Sequence, residues 1–185
     1  MLLRLFIALD LSEETKHRLF AHMLALKRLR LNGSWVREEN LHLTLKFLGP
    51  TDDFAIPRIE QILTMIGNDT NLIQASIARI GAFPSLRNPR VVFFNVEDNG
   101  KIMEVFKKVD SYSAHWGGTQ EERPFTPHIT FIRLKQHSDL SVPSTQPLLS
   151  FKPIKETFKE LSLFKSTLTS SGAVYEPIHT FPFHL

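Results

Sequence analysis

The stretch Leu41-His42-Leu43-Thr44-Leu45-Lys46-Phe47-Leu48 has a second version in Pro127-His128-Ile129-Thr130-Phe131-Ile132, and this repetition governs how the rest of the chain reads. Each is His-x-Thr-x with apolar residues at x. A strand turns successive side chains to opposite faces, so His and Thr share one face while the apolar residues enter a core from the other. With 8 His and 13 Thr in 185 residues, two His-x-Thr pairs are only a mild excess over chance. Their setting adds the weight: each lies in a strand-like apolar run, one per half of the chain, as in a duplicated unit. Two imidazoles and two hydroxyls are thereby expected to face one space.

That set suits proton transfer around a phosphoryl group. Opening a cyclic phosphodiester needs a base for the attacking water, an acid for the departing ribose oxygen and donors for the phosphoryl oxygens. Imidazole's ordinary pKa of about 6.5 allows one ring neutral and one cationic, and Thr hydroxyls can hold the phosphate. A zinc site is the weaker reading: only two imidazoles converge, and no carboxylate lies on the His faces. His17, His22, His115, His137, His179 and His184 lack a Thr two residues on and read as surface or packing residues.

Outward from the two stretches, composition narrows the class. At 185 residues and 42% apolar, the chain suits a single domain spanning 1–185, with two small lobes sharing a core. The absence of Cys excludes disulfides, thiolate metal sites and a Cys nucleophile. Met1 to Asp10 is too short in its apolar run for a signal peptide, and nothing approaches the roughly 20 apolar residues of a membrane span. A cytoplasmic monomer with no membrane partner is the expectation. Net charge is +3, but basic residues gather at Lys16, Arg18, Lys27, Arg28, Arg30 and Arg37, at Arg79, Arg87 and Arg90, and at Lys152, Lys155, Lys159 and Lys165, which permits a polyanionic partner.

Periodicity predicts a buried strand over Leu2–Leu9, then a helix capped by Asp10 or Ser12 and running to about Leu31, where Asn32-Gly33 stops it. A short strand at Trp35-Val36 and a turn at Glu38-Glu39-Asn40 lead to the first motif strand, expected to end at Gly49-Pro50. A helix over Ile56–Ile66, strands over Leu72–Gly81 and Arg90–Val96 and a helix over Lys101–Ala114 follow. His115 to Pro124 reads as a polar loop containing Gly117-Gly118, and Gln136 to Pro147 as a mobile connection. Two long strands, Glu156–Leu168 and Ala173–Phe183, close the chain as a hairpin through Thr169-Ser170-Ser171-Gly172. The class is α+β, with antiparallel sheets and helices packed against them.

The ordered motifs resemble the RNA 2′,3′-cyclic phosphodiesterase (2′-5′ RNA ligase) family of the two-histidine phosphoesterases. They are Leu5-Phe6-Ile7-Ala8-Leu9-Asp10, Trp35-Val36-Arg37, Asn40 to Gly49, Gly81-Ala82-Phe83-Pro84-Ser85, Pro89-Arg90-Val91-Val92, Arg123 to Thr130, Gly172 and Tyr175. The resemblance implies a bilobal fold of two antiparallel sheets with pseudo-twofold symmetry around a central cleft. It implies that His42 donates a proton and His128 accepts one, beside Thr44 and Thr130, with no cofactor or metal. The implied substrate is RNA with a 2′,3′-cyclic phosphate end, opened to a 2′-phosphate; some members also join tRNA halves through a 2′-5′ bond without ATP. Arg133 matches a family arginine able to bind phosphate, yet strict alternation puts it opposite His128, and only a bulge would bring it round. Trp35, Phe83 and Tyr175 are candidates to stack a terminal base, with packing the alternative for each. Glu38 stands where the family often has Pro, and Phe93 where Trp is common. Two other functions fit the same residues: action on another small cyclic phosphate, such as ADP-ribose 1″,2″-cyclic phosphate or a cyclic nucleotide, and a non-catalytic RNA-binding module.

Overall fold

The computed structural model describes residues 1–116, 124–170 and 172–184. Gly117, Gly118 and Arg123 of the polar loop, and Ser171 of the C-terminal turn, lie outside the described residues.

β1 (Leu2–Asp10) sends Leu5, Ile7 and Leu9 into the main core, and Phe6 and Ala8 to its other face. Ser12 caps α1 (Glu13–Leu26) by accepting from the Thr15 N–H, and Leu19, Met23 and Leu26 form its buried stripe. The helix stops short of Leu31: one 3-10 turn over Lys27–Leu29 ends in left-handed Arg30, at φ 49°. Gly33 is therefore not the helix stop. It opens β2 (Gly33–Trp35), which pairs with the second motif strand.

β3 (His42–Asp52) continues through the expected stop at Gly49-Pro50. Gly49 has φ 70° and the register slips opposite Leu5 and Phe6, so the strand bulges there and runs on. Pro50 is tolerated because β3 is an edge strand. α2 (Ile56–Asn68), β4 (Ile73–Phe83), β5 (Val91–Asp98), α3 (Lys101–Ser111) and β6 (His128–Leu134) follow where the periodicity puts them.

The C-terminal third departs from expectation. The 136–147 stretch is tied down rather than loose: Leu140 is buried and donates its N–H to the Leu86 carbonyl, while buried Thr145 donates its hydroxyl to the Leu140 carbonyl. After the one-turn α4 (Gln146–Leu149) comes β7 (Ser150–Phe158), a strand hidden in the sequence by Lys152, Pro153 and Lys155. It is an edge strand, where Pro is accommodated. The single strand expected over Glu156–Leu168 is broken at Lys159, and β8 (Glu160–Thr169) and β9 (Gly172–Pro182) form the hairpin.

Two antiparallel sheets result, one ordered β3-β1-β8-β9 and the other β2-β6-β5-β4-β7. Each takes strands from both halves of the sequence, so β7 and β8 cross from one sheet to the other at Lys159. A continuous apolar cluster draws on both sheets and on α1, α2 and α3. Two polar ties cross between the halves. Glu156 of β7 is buried, accepting from the Ser12 N–H at 3.1 Å and the Ser12 hydroxyl at 2.9 Å. Lys46 of β3 meets Asp110 of α3 at 2.6 Å, with both side chains mostly buried. Breaking either pair would leave a charge stranded in the interior, so Glu156 ties β7 to the start of α1 and Lys46 ties β3 to α3.

Candidate active site

The first residues of β3 and β6 are the two motif histidines. Each is preceded by backbone that fixes its ring. A 3-10 turn over Glu38–Asn40 aims the Asn40 carbonyl at His42, whose Nδ1–H donates to it at 2.7 Å. The Asn40 side chain is anchored in turn on the Ala173 carbonyl at 2.8 Å. In the other half, Pro127 keeps Thr126 extended, and the His128 Nδ1–H donates to the Thr126 carbonyl at 2.6 Å. A carbonyl can only accept, so both Nδ1 atoms carry the hydrogen and each neutral ring keeps its lone pair on Nε2. The Nε2 of His42 accepts from the Thr44 hydroxyl at 2.8 Å.

Aromatic rings wall both imidazoles. The His42 ring lies 4.9 Å from Phe6, 5.3 Å from Tyr175 and 6.1 Å from Phe164. The His128 ring lies 5.0 Å from Phe93 and 5.2 Å from Phe83, edge to face. Gly81 makes the second wall possible, since a Cβ there would sit 2.6 Å from the Phe93 ring. Burial among these rings lowers the pKa of His42 to about 4, against the opposing pull of the Asn40 carbonyl and of Asp10, and with the Lys16 and His128 charges adding to the depression. His128 is lowered too, by burial first and then by the Arg133 guanidinium, against the Thr126 carbonyl. β3 and β6, which carry the two rings, are in contact, and the His128 charge is among the smaller causes that depress His42.

The strand registers decide what else shares the face of each imidazole. Along β6, His128 lies opposite Asn95, Thr130 opposite Phe93, and Arg133 opposite Val91. The pairing slips between Val92 and Phe93, making Phe131 the extra residue of a bulge. Positions 95, 93 and 91 of β5 share a face, so the bulge turns Arg133 to the side of His128 and Thr130. β3 repeats the device. His42 lies opposite Asp10 and Thr44 opposite Ala8; after a slip at Leu45, Phe47 lies opposite Phe6. Phe47 thus occupies in the first half the place of Arg133 in the second, and it is 61% exposed.

Phe83, 38% exposed, and half-buried Tyr175 each pack against an imidazole. Trp35 does not. It pairs with Ile132, whose side chain enters the core, and it packs 6.0 Å from the buried Phe131 ring with the Lys27 ammonium 5.8 Å from its own ring. Trp35 is a packing residue on the face away from the imidazoles. Among the described residues no three of His, Cys, Asp and Glu gather as a ligand set for a metal ion, and no helix is long and apolar enough to cross a membrane.

Residues 17–169 match the model of the 2′-5′ RNA ligase superfamily. The chain belongs to that superfamily. Its similarity to individual members is moderate and runs nearly end to end. It is 30% identical over 177 residues to an RNA 2′,3′-cyclic phosphodiesterase of Thermotoga maritima, covering 96% of this chain and 94% of the relative. It is 31% identical over 183 residues to one of Methanocaldococcus jannaschii, covering 95% and 98%. In fold, Escherichia coli LigT, solved with 3′-AMP, matches at a TM-score of 0.82 and 23% identity, over the whole of both chains.

Proposed function

We propose that this protein opens RNA-terminal 2′,3′-cyclic phosphates with water, leaving a 2′-phosphate, through His128 as general base and His42 as general acid. The observation that carries the reading is that both Nδ1–H groups are committed to backbone carbonyls two residues upstream, which leaves both Nε2 atoms as the proton-exchanging positions, that of His42 held by the Thr44 hydroxyl before substrate arrives. In the reaction, water loses a proton to the His128 Nε2 as its oxygen attacks phosphorus. The P–O3′ bond breaks, and O3′ takes the proton carried on the His42 Nε2. The Thr44 and Thr130 hydroxyls donate to the phosphoryl oxygens, and Arg133 offers a guanidinium to the same charge. A phosphate monoanion arriving beside His42 raises its pKa, so the ring takes up a proton from solvent as the substrate binds.

Phe47, Phe83 and Tyr175 are the rings available to the terminal nucleoside: Phe83 and Tyr175 pack against the imidazoles, Phe47 lies on the His42 face of β3 beside Phe6, and all three retain exposed surface. The curated relatives named RNA 2′,3′-cyclic phosphodiesterase support the substrate class. Ligation uses the same steps with a 5′-hydroxyl in place of water: P–O5′ forms, P–O3′ breaks, and no nucleotide is consumed.

Turnover of an oligoribonucleotide bearing a 2′,3′-cyclic end, under chelator, tests the proposal. Hydrolysis by the wild type, lost in both His42→Ala and His128→Ala, is the expected result. Retained turnover in either variant, or a strict requirement for added divalent metal, would overturn it. A rate on ADP-ribose 1″,2″-cyclic phosphate above that on RNA would move the function to another cyclic phosphate.

A further inference from the structure

Resting on the reading above, we infer that the corner of the second sheet beyond Arg133 is a docking surface for the single-stranded RNA that lies 5′ of the cyclic phosphate, and that Arg30, Arg90 and Lys135 are its phosphate contacts. Three chain segments meet at this corner. The Lys135 N–H donates to the Asn32 carbonyl, two residues after Arg30, and the Leu134 N–H donates to the Arg90 carbonyl. Arg30, Arg90, Arg133 and Lys135 are all exposed. Among the described residues none of the four has a carboxylate within ion-pair distance, whereas Lys16, Lys46, Arg79, Lys108 and Lys165 all do. Four uncompensated cations on adjoining segments, in a chain of net charge +3, form an electrostatic footprint for a polyanion.

The corner is continuous with the active site. Arg133 shares the face of His128 and Thr130, four residues along the partner strand, which is roughly 13 Å. Lys135 follows two residues later, about 7 Å further. A terminal nucleotide held between the imidazoles sends its 5′ strand past Arg133 if it runs this way, and its next phosphates then lie within reach of Lys135, Arg30 and Arg90. The substrate is on this view an RNA strand, and a lone cyclic nucleotide uses only part of the surface.

The test compares kcat/KM for 2′,3′-cyclic CMP and for a decaribonucleotide with a 2′,3′-cyclic end, at 50 and 200 mM salt. Each phosphate contact contributes a log–log salt slope of about −0.7 for a single strand, so three contacts lower kcat/KM for the decamer roughly 18-fold over this range relative to the mononucleotide. In the triple variant Arg30→Gln/Arg90→Gln/Lys135→Gln the decamer-to-mononucleotide ratio falls and its salt dependence flattens. The single variant Lys135→Gln gives a partial flattening and guards against a fold defect in the triple. A ratio near one in the wild type, or an equal salt slope in wild type and triple variant, overturns the inference. Binding of a labelled decamer with a 2′-phosphate end, measured alongside, separates this from the catalytic reading. Salt-steep binding without turnover sinks the enzyme alone, and turnover without any dependence on length or salt sinks the docking surface alone.

Discussion

In the free protein the acid of the proposed reaction should be unprotonated, and it should charge only when substrate arrives. Burial sets the His42 pKa at about 4, so at pH 7 about one ring in a thousand carries a proton. A phosphate monoanion placed about 4 Å from Nε2 interacts with the imidazolium by about 4 kcal/mol at an effective dielectric of 20. That is worth about 3 pKa units and brings His42 to about 7. The assay is an NMR titration of the His42 ring, free and saturated with an oligoribonucleotide ending in a 2′-O-methyl, 3′-methyl phosphate diester. This ligand carries one charge at its end and has no hydroxyl to be cleaved. The free ring should stay neutral down to about pH 4 and the bound ring should titrate near 7. In kinetics the His42 limb should accordingly lie further alkaline in kcat than in kcat/KM, which report the complex and the free enzyme respectively. A free-protein pKa near 6.5, or one that ligand does not move, would refute the reasoning.

The same depressed pKa couples to folding. Between about pH 6.5 and 4 the unfolded chain takes up a proton at His42 that the folded chain refuses. Stability is therefore whole above that window and falls as pH drops through it, by at most about 3 kcal/mol for this ring. Denaturant unfolding at pH 7 and pH 4.5 should show a larger loss in wild type than in His42→Gln. Arg133→Met removes a guanidinium from the phosphate and should lower kcat/KM on cyclic-ended RNA by about 10²-fold or more; steady-state kinetics with wild-type-like unfolding would show the loss to be local. Gly81→Ala puts a Cβ against the Phe93 ring, which overpacks the wall behind His128. It should cost about 1–3 kcal/mol in unfolding free energy, with kcat/KM reduced as well. Phe47→Ala should raise KM for RNA far more than for a cyclic phosphate lacking a base, and equal changes for both would show that the ring does not meet the nucleoside.

The parts of this site that follow strict alternation were legible in the sequence, and those that depend on a broken alternation were not. His42 with Thr44, and His128 with Thr130, lie before any slip in register, so a period of two placed them together. Beyond the slips at Leu45 and Phe131, the period assigns Phe47 and Arg133 to the wrong face. The signal that survives is positional: both residues stand three places after the motif Thr. Trp35 failed for a different reason, since its aromatic character says nothing about which face of β2 it occupies, and Ile132 opposite it draws it to the core. The helices were readable because their apolar stripes are long. β7 was not, because an edge strand with Lys152, Pro153 and Lys155 carries little hydrophobic pattern and owes its conformation to pairing with β4. The exchange of strands between the two sheets is a tertiary choice that no local pattern records.

The proposed placement of the two imidazoles about one phosphorus fixes which oxygen leaves, and that can be read directly. A 2′,3′-cyclic-ended oligoribonucleotide hydrolysed in ¹⁸O-labelled water and followed by phosphorus NMR should yield solely the 2′-monophosphate, with one labelled oxygen on phosphorus. A 3′-monophosphate, or a mixture of the two, would contradict an acid held beside O3′ by His42.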